Sequence, residues 1–372
     1  MIYADNAATT KLDMEAFEAM KPYLLEQYSN ASQPYSFARS AKKALKQARE
    51  TIAACINADP EEIYFTSGGS ESDNWALKGV MNASGKKGFL LTTQIEHHAI
   101  LHTAASMERM GHRIQLLPVT DKGVVTAEIL ETHMVDNVDM VSVMFANNEI
   151  GSIQPIKELA IIAHNKGALF HTDAVQAVGH ISINVKELGI DMLSASAHKF
   201  NGPKGVGFLW VKKGTILKPY IDGGAQEYKM RAGTENVAGI VGMAIALKNN
   251  CNAMNSNISH LKELENILFN QLRNKNIDFI RNGSDERIPG NMSLSFKGVQ
   301  GEMLLHRLDF KDICVSTGSA CDSQNTQVSH VLKAIKLCED YAIGTIRISL
   351  SKENSVEEVH EIANAIASII NG

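Results

Sequence analysis

The sequence has few of the features that mark membrane, secreted or nucleic-acid-binding proteins. Its 372 residues carry 36 Lys and Arg against 41 Asp and Glu, so no basic excess favours nucleic acid. No apolar run approaches the roughly 18 residues of a membrane span, and the N-terminus becomes polar at Asp5, unlike a signal peptide. These absences predict a cytoplasmic protein that acts on small molecules, with no direct binding to nucleic acid or membrane.

Cysteine is scarce and shows no pairing pattern. The five cysteines are an odd number, widely spread and without a CxxC pair, which argues against both a disulfide framework and a zinc knuckle. Cys55 fits helix packing and Cys314 fits a strand, whereas Cys321 ends residues 316–321, STGSAC, a run of small and mostly hydroxylated residues. Because a structural cysteine normally lies in apolar sequence, a thiol in such a loop is a candidate for chemistry.

The order of apolar runs predicts the fold class. From residue 63 to residue 173, short apolar runs alternate with helix-length segments, which is typical of a mostly parallel sheet covered on both faces, an α/β fold. The polar run NNCNAMNSN indicates a domain junction near residues 250–257. We therefore expect an N-terminal segment at 1–15 that packs with the small domain, a large domain at 16–255, and a smaller α+β domain at 256–372 that carries the Cys321 loop.

A glycine-rich turn at residues 67–72, SGGSES, joins a predicted strand to a predicted helix. The free backbone N–H groups and the positive dipole end of such a helix N-terminus bind phosphate, and Ser70 adds a hydroxyl. The alternative is a helix N-cap with permissive glycines. Since no GxxxxGK[ST] pattern is present, a nucleoside triphosphate is not expected.

Two charged residues follow predicted strands. Asp173 ends the run ALFHTD, at the edge where ligands collect in open α/β sheets, and is placed to pair with a cationic ring nitrogen or to cap the next helix. Lys199 follows the apolar run DMLSASAH, where burial lowers an amine pKa and makes the amine a nucleophile toward carbonyls. A solvated surface charge is the alternative for Lys199.

Other polar residues have two interpretations each. His97 lies at a strand-to-helix turn, where it either faces the same crevice or acts as a cap or hydrogen-bonding residue. His98 and His102 are spaced for a metal, but no HExxH pattern or third ligand follows, so no metal is expected. Asn148 ends a strand, and Arg347 lies inside the apolar strand TIRISL, where it must pair with a substrate carboxylate or a structural acid if it is buried.

Taken together, the motifs resemble those of the cysteine desulfurases of the NifS/IscS type, in the class V aminotransferase family. In chain order the motifs are ADNAATT, FTSGGSESDN, EHHA, NNEIG, HTDAVQ, SAHKFNGPKG, RAGTEN, STGSAC and TIRIS. The resemblance covers nearly the whole chain. It implies the fold type I of enzymes that use pyridoxal 5′-phosphate (PLP), with a large, mostly parallel seven-stranded sheet domain and a smaller α+β C-terminal domain. It also implies L-cysteine as substrate and a homodimer.

The resemblance implies a role for each site residue. Lys199 would bind PLP covalently, and Asp173 would keep its pyridine nitrogen protonated, so that the ring acts as an electron sink. His97 would stack on the ring and help to move protons, and Gln176 would hydrogen-bond the ring hydroxyl. The phosphate would be bound by Gly69, Ser70, Ser196 and His198, with Thr234 from the second subunit. The substrate carboxylate would be held by Asn148 and Arg347.

Cys321 would accept the substrate sulfur. Its thiolate would attack that sulfur, leaving alanine and an enzyme persulfide, and small residues around it would give the loop freedom to carry the sulfur outward. The acceptor would be an iron–sulfur scaffold protein or a tRNA-thiolation relay.

The chain departs from the family pattern at three places. Tyr35 stands where an NPxSxH stretch has histidine, Ala38 stands where a glycine follows, and Asp322 is an acidic neighbour that disfavours a thiolate at Cys321. Three alternatives therefore stay open beside the desulfurase: a selenocysteine lyase, another class V PLP lyase or aminotransferase, and a catalytically silent scaffold or regulator.

Overall fold

The computed structural model of the protein describes residues 1–83, 85–317 and 328–372. Its strands are β1 (Ile2–Tyr3), β2 (Ile63–Thr66), β3 (Phe89–Thr93), β4 (Arg113–Leu117), β5 (Met140–Ser142), β6 (Leu169–Asp173), β7 (Met192–Ser196), β8 (Gly207–Val211), β9 (Phe279–Arg281), β10 (Asn291–Phe296), β11 (Ile313–Cys314) and β12 (Thr345–Ser349). Its α-helices are α1 (Met14–Leu25), α2 (Arg39–Cys55), α3 (Gly69–Met81), α4 (His98–Arg109), α5 (Ala127–His133), α6 (Ile156–Asn165), α7 (Val185–Leu188), α8 (Val237–Asn252), α9 (Met254–Asn274), α10 (Gly301–Asp309), α11 (His330–Ala334), α12 (Glu339–Ala342) and α13 (Val356–Asn371).

The large sheet has seven strands in the order β2-β8-β7-β6-β5-β3-β4. Strand β8 runs antiparallel to β7 and β2, and the remaining neighbours in this sheet are parallel. The carboxyl ends of β2, β3, β5, β6 and β7 therefore share one edge, where the loops that follow them meet. The mostly parallel sheet expected from the sequence is confirmed.

Both faces of this sheet are buried, which explains the near-continuous apolar runs in the sequence. Side chains alternate along β8: Phe208 and Trp210 belong to one hydrophobic core, and Leu209 and Val211 belong to another on the opposite face. Because each face needs its own cover, the chain supplies helices to both.

The helices bury one side each against these cores. Helices α2, α6 and α8 contribute Ile52, Leu159 and Met243 to the first core, and α3 and α4 contribute Trp75 and Ile100 to the second. In α2 the buried positions recur at helical spacing, which produces one apolar face under a basic, solvent-facing side. Because helices pack on both faces, the strands are held in place, and so are the loops that follow them at the common edge.

The C-terminal part of the chain has a third core of its own. It surrounds an antiparallel sheet of order β12-β10-β9 and is covered by α9, α10 and α13. Strand β1 pairs in parallel with β11, and both Ile2 and Ala4 are buried in this third core. The start of the chain thus packs against the C-terminal region, while the expected boundaries at residues 15/16 and 255/256 stay predictions.

The polar run at residues 249–257, which was expected to mark a domain junction, is mostly helical. Helix α8 continues to Asn252 and α9 begins at Met254, so the run is helical except at Ala253. Asn250 Nδ2 donates hydrogen bonds to the backbone oxygens of Ala246 and Phe200, which satisfies its amide inside the helix pair. Over the described residues, no helix combines the length and apolar character needed to cross a membrane.

Candidate active site

A cavity of about 660 Å³ opens where the carboxyl ends of the parallel strands meet. Its walls come from the loops after β2, β3, β5, β6 and β7, together with residues 7–9, residues 328–333 and Arg347 in β12. Most of the residues predicted for the site line it: Gly69, Ser70, His97, Asn148, Asp173, Gln176, Ser196, His198, Lys199 and Arg347. Ligands in open α/β sheets bind at this same edge.

The start of α3 provides a narrow anion-binding turn. Gly68 has φ 149°, a conformation open to glycine, and a Cβ built on Gly69 would lie 2.6 Å from Val175 Cγ2. The first-turn N–H groups of α3 have no acceptor within the helix, and the first-turn residues Gly69 and Ser70 line the cavity together with Ser196. The glycines are required because the turn is packed tightly against β7 and the segment after β6.

Lys199 lies in a short 3₁₀ turn, Ala197–Lys199, directly after β7. Its Nζ donates hydrogen bonds to the carbonyl oxygens of Ala7 at 2.6 Å and Ala8 at 2.9 Å. Gln176 Nε2 donates to the same Ala7 oxygen at 3.0 Å. The N-terminal segment thus holds the lysine and the glutamine at one side of the cavity.

Asp173 is the last residue of β6 and is 5% exposed. Its Oδ1 accepts the N–H of Val175 at 2.9 Å. Burial raises the pKa of Asp173 to about 6, against the opposing effects of the Val175 hydrogen bond and the positive charge of Lys199. The carboxylate is therefore ionised at neutral pH in a poorly hydrated place, where a cationic ligand would be stabilised.

A second buried acid, Asp73 on α3, also lines the cavity. Burial, followed by the negative charge of Asp173, raises its pKa well above the ordinary range, and a hydrogen bond from Ser194 opposes this. His171 Nε2 lies 3.8 Å from Asp73 Oδ1, while burial lowers the pKa of His171 to about 3. Asp173 is thus the acid of this group that carries the charge at neutral pH.

Two histidines border the cavity in the neutral form. His97 caps α4, and its Nδ1 accepts the N–H of Ala99 at 3.1 Å, which places the ring proton on Nε2. Burial, and next the charge of Lys199, lowers the pKa of His97 to about 4. The same two causes lower the pKa of His198 to about 4, and its Nδ1 lies 3.2 Å from Thr9 Oγ1. The cap role and the crevice-facing role of His97 therefore coexist.

Arg347 is 4% exposed and reaches the cavity from β12. Its Nη1 donates to the backbone oxygen of Asn148 at 3.0 Å, and its Nη2 donates to Asp5 Oδ1 at 2.7 Å. Its Nε is buried and has no hydrogen-bond partner among the residues that the structure describes. The guanidinium thus has a structural acid and also an unused donor, while its binding of a substrate carboxylate stays a prediction.

Cys321 and Asp322 lie outside the described residues, but the segments on both sides of them are at the site. Ser316 N–H donates to Arg347 O at 3.1 Å, and Arg347 N–H donates to Ser316 O at 2.6 Å. After the loop, Ser329 Oγ donates to Glu149 Oε2 at 2.5 Å, and both residues line the cavity. The described residues on both sides of this segment therefore lie at the site.

Three further residues remain from the sequence analysis, namely Thr234 and the histidine pair His98 and His102. Thr234 is exposed in the loop before α8 and does not line the cavity, so its expected role in a second subunit stays a prediction. The rings of His98 and His102 stack at 4.9 Å. Within the described ranges, no group of three His, Cys, Asp or Glu residues is arranged to hold a metal ion.

Comparison with known proteins identifies the family. The family model described as aminotransferase class V matches residues 2–362. This chain belongs to the class V aminotransferase family. It is 45% identical over 373 residues to "Cysteine desulfurase IscS" of Clostridium botulinum, covering 99% of this chain and 94% of that protein, and 43% identical over 370 residues to the protein of the same name from Methanosarcina thermophila, covering 99% and 92%.

Solved structures with the same fold support this assignment. A NifS-like protein superposes with a TM-score of 0.94 at 37% identity, covering 100% of this chain and 99% of that one. The structure titled "SspA in complex with cysteine" gives a TM-score of 0.85 at 34% identity, covering 95% of this chain and 100% of that one. The family and the fold type expected from the motifs are therefore confirmed.

PLP is the cofactor of this class V enzyme, and the cavity residues fit it. The start of α3, where Gly69 and Ser70 line the cavity, suits a phosphate, because the N-terminus of a helix offers backbone N–H groups and a positive dipole end. The ionised, buried carboxylate of Asp173 suits a protonated pyridine nitrogen, and the Lys199 amine suits the cofactor carbonyl. The cofactor expected from the sequence is confirmed.

Several residues of the site were missed by sequence reasoning. Asp73 and Glu149 line the cavity, and the carbonyls of Ala7 and Ala8 bind Lys199. Asp5 pairs with Arg347 across 342 residues of sequence. The one available signal was that ADNAATT, FTSGGSESDN and NNEIG, which contain these residues, are among the motifs that carry the resemblance.

Proposed function

We propose that this protein is a PLP-dependent cysteine desulfurase that converts L-cysteine to L-alanine and transfers the sulfur to Cys321. The observation that carries the proposal is that one cavity contains both Lys199 and Asp173 for the cofactor and Arg347 for a carboxylate, with both ends of the Cys321 segment anchored at it. The relatives named cysteine desulfurase at 45% identity support the same activity.

The chain's own residues divide the work of the first half-reaction. Bound PLP supplies an electron sink for the carbon–hydrogen bond at the substrate Cα. The Lys199 amine would hold the cofactor and, once free, would be the base that takes the Cα proton. Neutral His97 holds its proton at Nε2 beside the cavity, because Nδ1 accepts the Ala99 N–H, and this proton is available for hydrogen bonding in the transition state.

Arg347 and Asn148 orient the substrate. The guanidinium is fixed by the backbone oxygen of Asn148 and by Asp5, so a carboxylate that binds it meets a preorganised donor. A substrate held at both its carboxylate and its amine has a fixed side-chain direction. The attack of the Cys321 thiolate on its sulfur is then effectively intramolecular.

The transfer of sulfur is a balanced exchange. The thiolate of Cys321 attacks the substrate sulfur, an S–S bond forms as the Cβ–S bond breaks, and the electron pair on carbon takes a proton to form the alanine methyl group. L-cysteine and the enzyme thiol thus become L-alanine and an enzyme persulfide. No external oxidant is needed, because the carbon is reduced as the sulfur is oxidised.

The wider context is part of the same proposal. A homodimer in which Thr234 completes the partner's phosphate site is supported by the exposure of Thr234 outside its own cavity. The persulfide would pass to an iron–sulfur scaffold protein or a tRNA-thiolation relay. A cytoplasmic location suits a reactive thiol that must be kept reduced, and the four cysteines of the described ranges are free.

The test is the intact mass of the PLP-loaded protein after brief exposure to L-cysteine without reductant, with alanine measured in parallel. We expect one added sulfur atom, mapped to Cys321 by peptide analysis, together with alanine. Cys321→Ser should gain no sulfur, whereas the matched variant Cys338→Ser, which lacks an exposed thiol elsewhere, should behave as the natural protein.

Other outcomes distinguish the alternatives. Turnover of selenocysteine or another amino acid that survives Cys321→Ser would indicate a neighbouring class V lyase or aminotransferase. A protein that binds PLP yet produces neither alanine nor persulfide, alone or with a sulfur acceptor present, would indicate a scaffold or regulator and would contradict the proposal.

A further inference from the structure

Asp5 is an acid held rigidly beside the functional arginine. Its backbone bridges in parallel to Ser349 of β12, and the flanking residues Ala4 and Asn6 exchange backbone hydrogen bonds with Ser349 at 2.7 and 3.1 Å. Tyr3 Oη donates to the Asp5 carbonyl oxygen at 3.1 Å. Because the backbone is fixed on both sides, the carboxylate cannot move away from β12 at low cost.

The contact between Asp5 and Arg347 is a nearly buried ion pair. Nη2 of Arg347 donates to Asp5 Oδ1 at 2.7 Å, with the two side chains 5% and 20% exposed in the order Arg347, Asp5. Arg347 lines the cavity and Asp5 does not, so the acid contacts the arginine from outside the space that a ligand would fill. Asp5 therefore cannot be a substrate contact and acts through the arginine.

The Asp5 charge reduces the electrostatic attraction between Arg347 and a ligand carboxylate. A lone buried guanidinium would bind a carboxylate with its full charge, whereas a guanidinium that already has an acid partner offers a smaller net attraction. The substrate and the product alanine carry the same carboxylate. A counter-charge therefore weakens the binding of both substrate and product. Weaker binding of alanine makes its release faster, and slow product release would limit turnover.

We propose that Asp5 is a positioning residue that fixes the Arg347 guanidinium and, as a resident counter-charge, weakens its hold on the carboxylate of substrate and product. The inference rests on the proposed function, because it assumes that Arg347 binds an α-carboxylate. It adds a determinant of affinity that lies outside the cavity.

The test uses the PLP holoenzyme with Asp5→Asn, which keeps an oxygen acceptor for Nη2 and removes the charge. The equilibrium dissociation constant of L-alanine, followed by the visible absorption of the cofactor, should fall about tenfold, the size expected for one screened charge at a partly buried site. KM for L-cysteine should fall with it, and kcat should stay equal or decrease. Binding of L-alaninamide, which has no carboxylate charge, should not change.

One control variant, a second neutral variant and a measurement without cofactor separate the effect of the Asp5 charge from unspecific effects of substitution. Glu353→Gln removes a charge at an exposed pair with Lys11 and should leave alanine binding unchanged. Asp5→Ser is a second neutral variant and should also tighten alanine binding. In the cofactor-free protein, acetate should raise the melting temperature more in the neutral Asp5 variants than in the natural protein, which gives a reading independent of turnover.

Each result has a defined meaning. Unchanged or weaker alanine binding in a folded Asp5→Asn protein would overturn the counter-charge role, and so would failure of both neutral variants to fold, since Asp5 would then be purely structural. Equal tightening of alanine and alaninamide would overturn it as well. If the natural protein neither binds alanine nor forms a persulfide, the proposed function itself has failed. If the natural protein does both, and the Asp5 variants bind alanine no more tightly than it does, only the proposed role of Asp5 has failed.

Discussion

Replacing Asp173 by Asn should stabilise the cofactor-free protein while impairing its use of the cofactor. Burial raises the pKa of Asp173 to about 6 in the folded state, whereas an aspartate in the unfolded chain titrates near about 3.9. An acid whose pKa is raised on folding binds protons more tightly in the folded state, so ionisation destabilises the fold. The penalty is absent below the unfolded value, grows as pH rises toward 6 and is constant above it.

The size of the effect follows from the same shift. A raised pKa of about 6 against about 3.9 corresponds to about 3 kcal/mol at pH 8, and the same calculation gives about half of that at pH 5. Asn keeps an oxygen that can accept the Val175 N–H, so the variant loses the charge and retains the hydrogen bond. Asp173→Asn should therefore gain up to about 3 kcal/mol at pH 8 and about half of that at pH 5.

Urea unfolding of the cofactor-free protein at the two pH values measures this difference, and visible absorption measures PLP binding, which should weaken. The matched control is Asp191→Asn, because Asp191 is also buried but pairs with His164 at 2.7 Å and accepts the Phe170 N–H at 2.8 Å. That variant should lose stability. An Asp173→Asn protein that unfolds at lower urea concentration than the natural one at pH 8 would refute the reasoning.

Two further substitutions test the framework around the site. Gly69→Ala introduces a Cβ only 2.6 Å from Val175 Cγ2, so we expect overpacking of about 1–3 kcal/mol and weaker PLP binding, measured by equilibrium dialysis, and normal PLP affinity would contradict the phosphate role of this turn. Glu227→Gln breaks a buried pair with Arg49, whose Nη2 lies 2.8 Å from Glu227 Oε1, and should cost about 3 kcal/mol in urea unfolding, whereas Glu50→Gln at an exposed pair should cost less than about 1 kcal/mol. Equal costs would show that burial of the pair is unimportant.

The sequence predicted those parts of the fold that depend on local pattern. Residues 63–173 alternate between apolar runs and helical segments because strands buried on both faces are mostly apolar, and the sheet has the expected mostly parallel order there. Asp173 and Lys199 follow β6 and β7, which are neighbours, so their meeting at one cavity follows from the topology. The turn before α3 was equally readable, since only glycines fit it.

Contacts between distant segments were not predictable in this way. The carbonyls of Ala7 and Ala8 bind Lys199 across more than half of the chain, and backbone groups leave no trace in residue identity. The helical state of residues 249–252 was also missed, because the polar amide of Asn250 is satisfied by Phe200 O from another segment. Tertiary hydrogen bonds thus override a local polar signal when they satisfy the buried group.

The two charged residues to which we assign ligand-binding roles, Asp173 and Arg347, are compensated in different ways. A buried charge must be compensated. The cost of burying the Asp173 carboxylate is only partly offset by Lys199 and the Val175 N–H, so a positive charge on the bound cofactor would offset the rest. Arg347 is already paired with Asp5, and the substrate carboxylate that we propose it binds must leave at every turnover. A cofactor that stays bound can offset the cost of a buried charge. A substrate cannot do so, because a site that is stabilised by the bound carboxylate would also retain the carboxylate of the product.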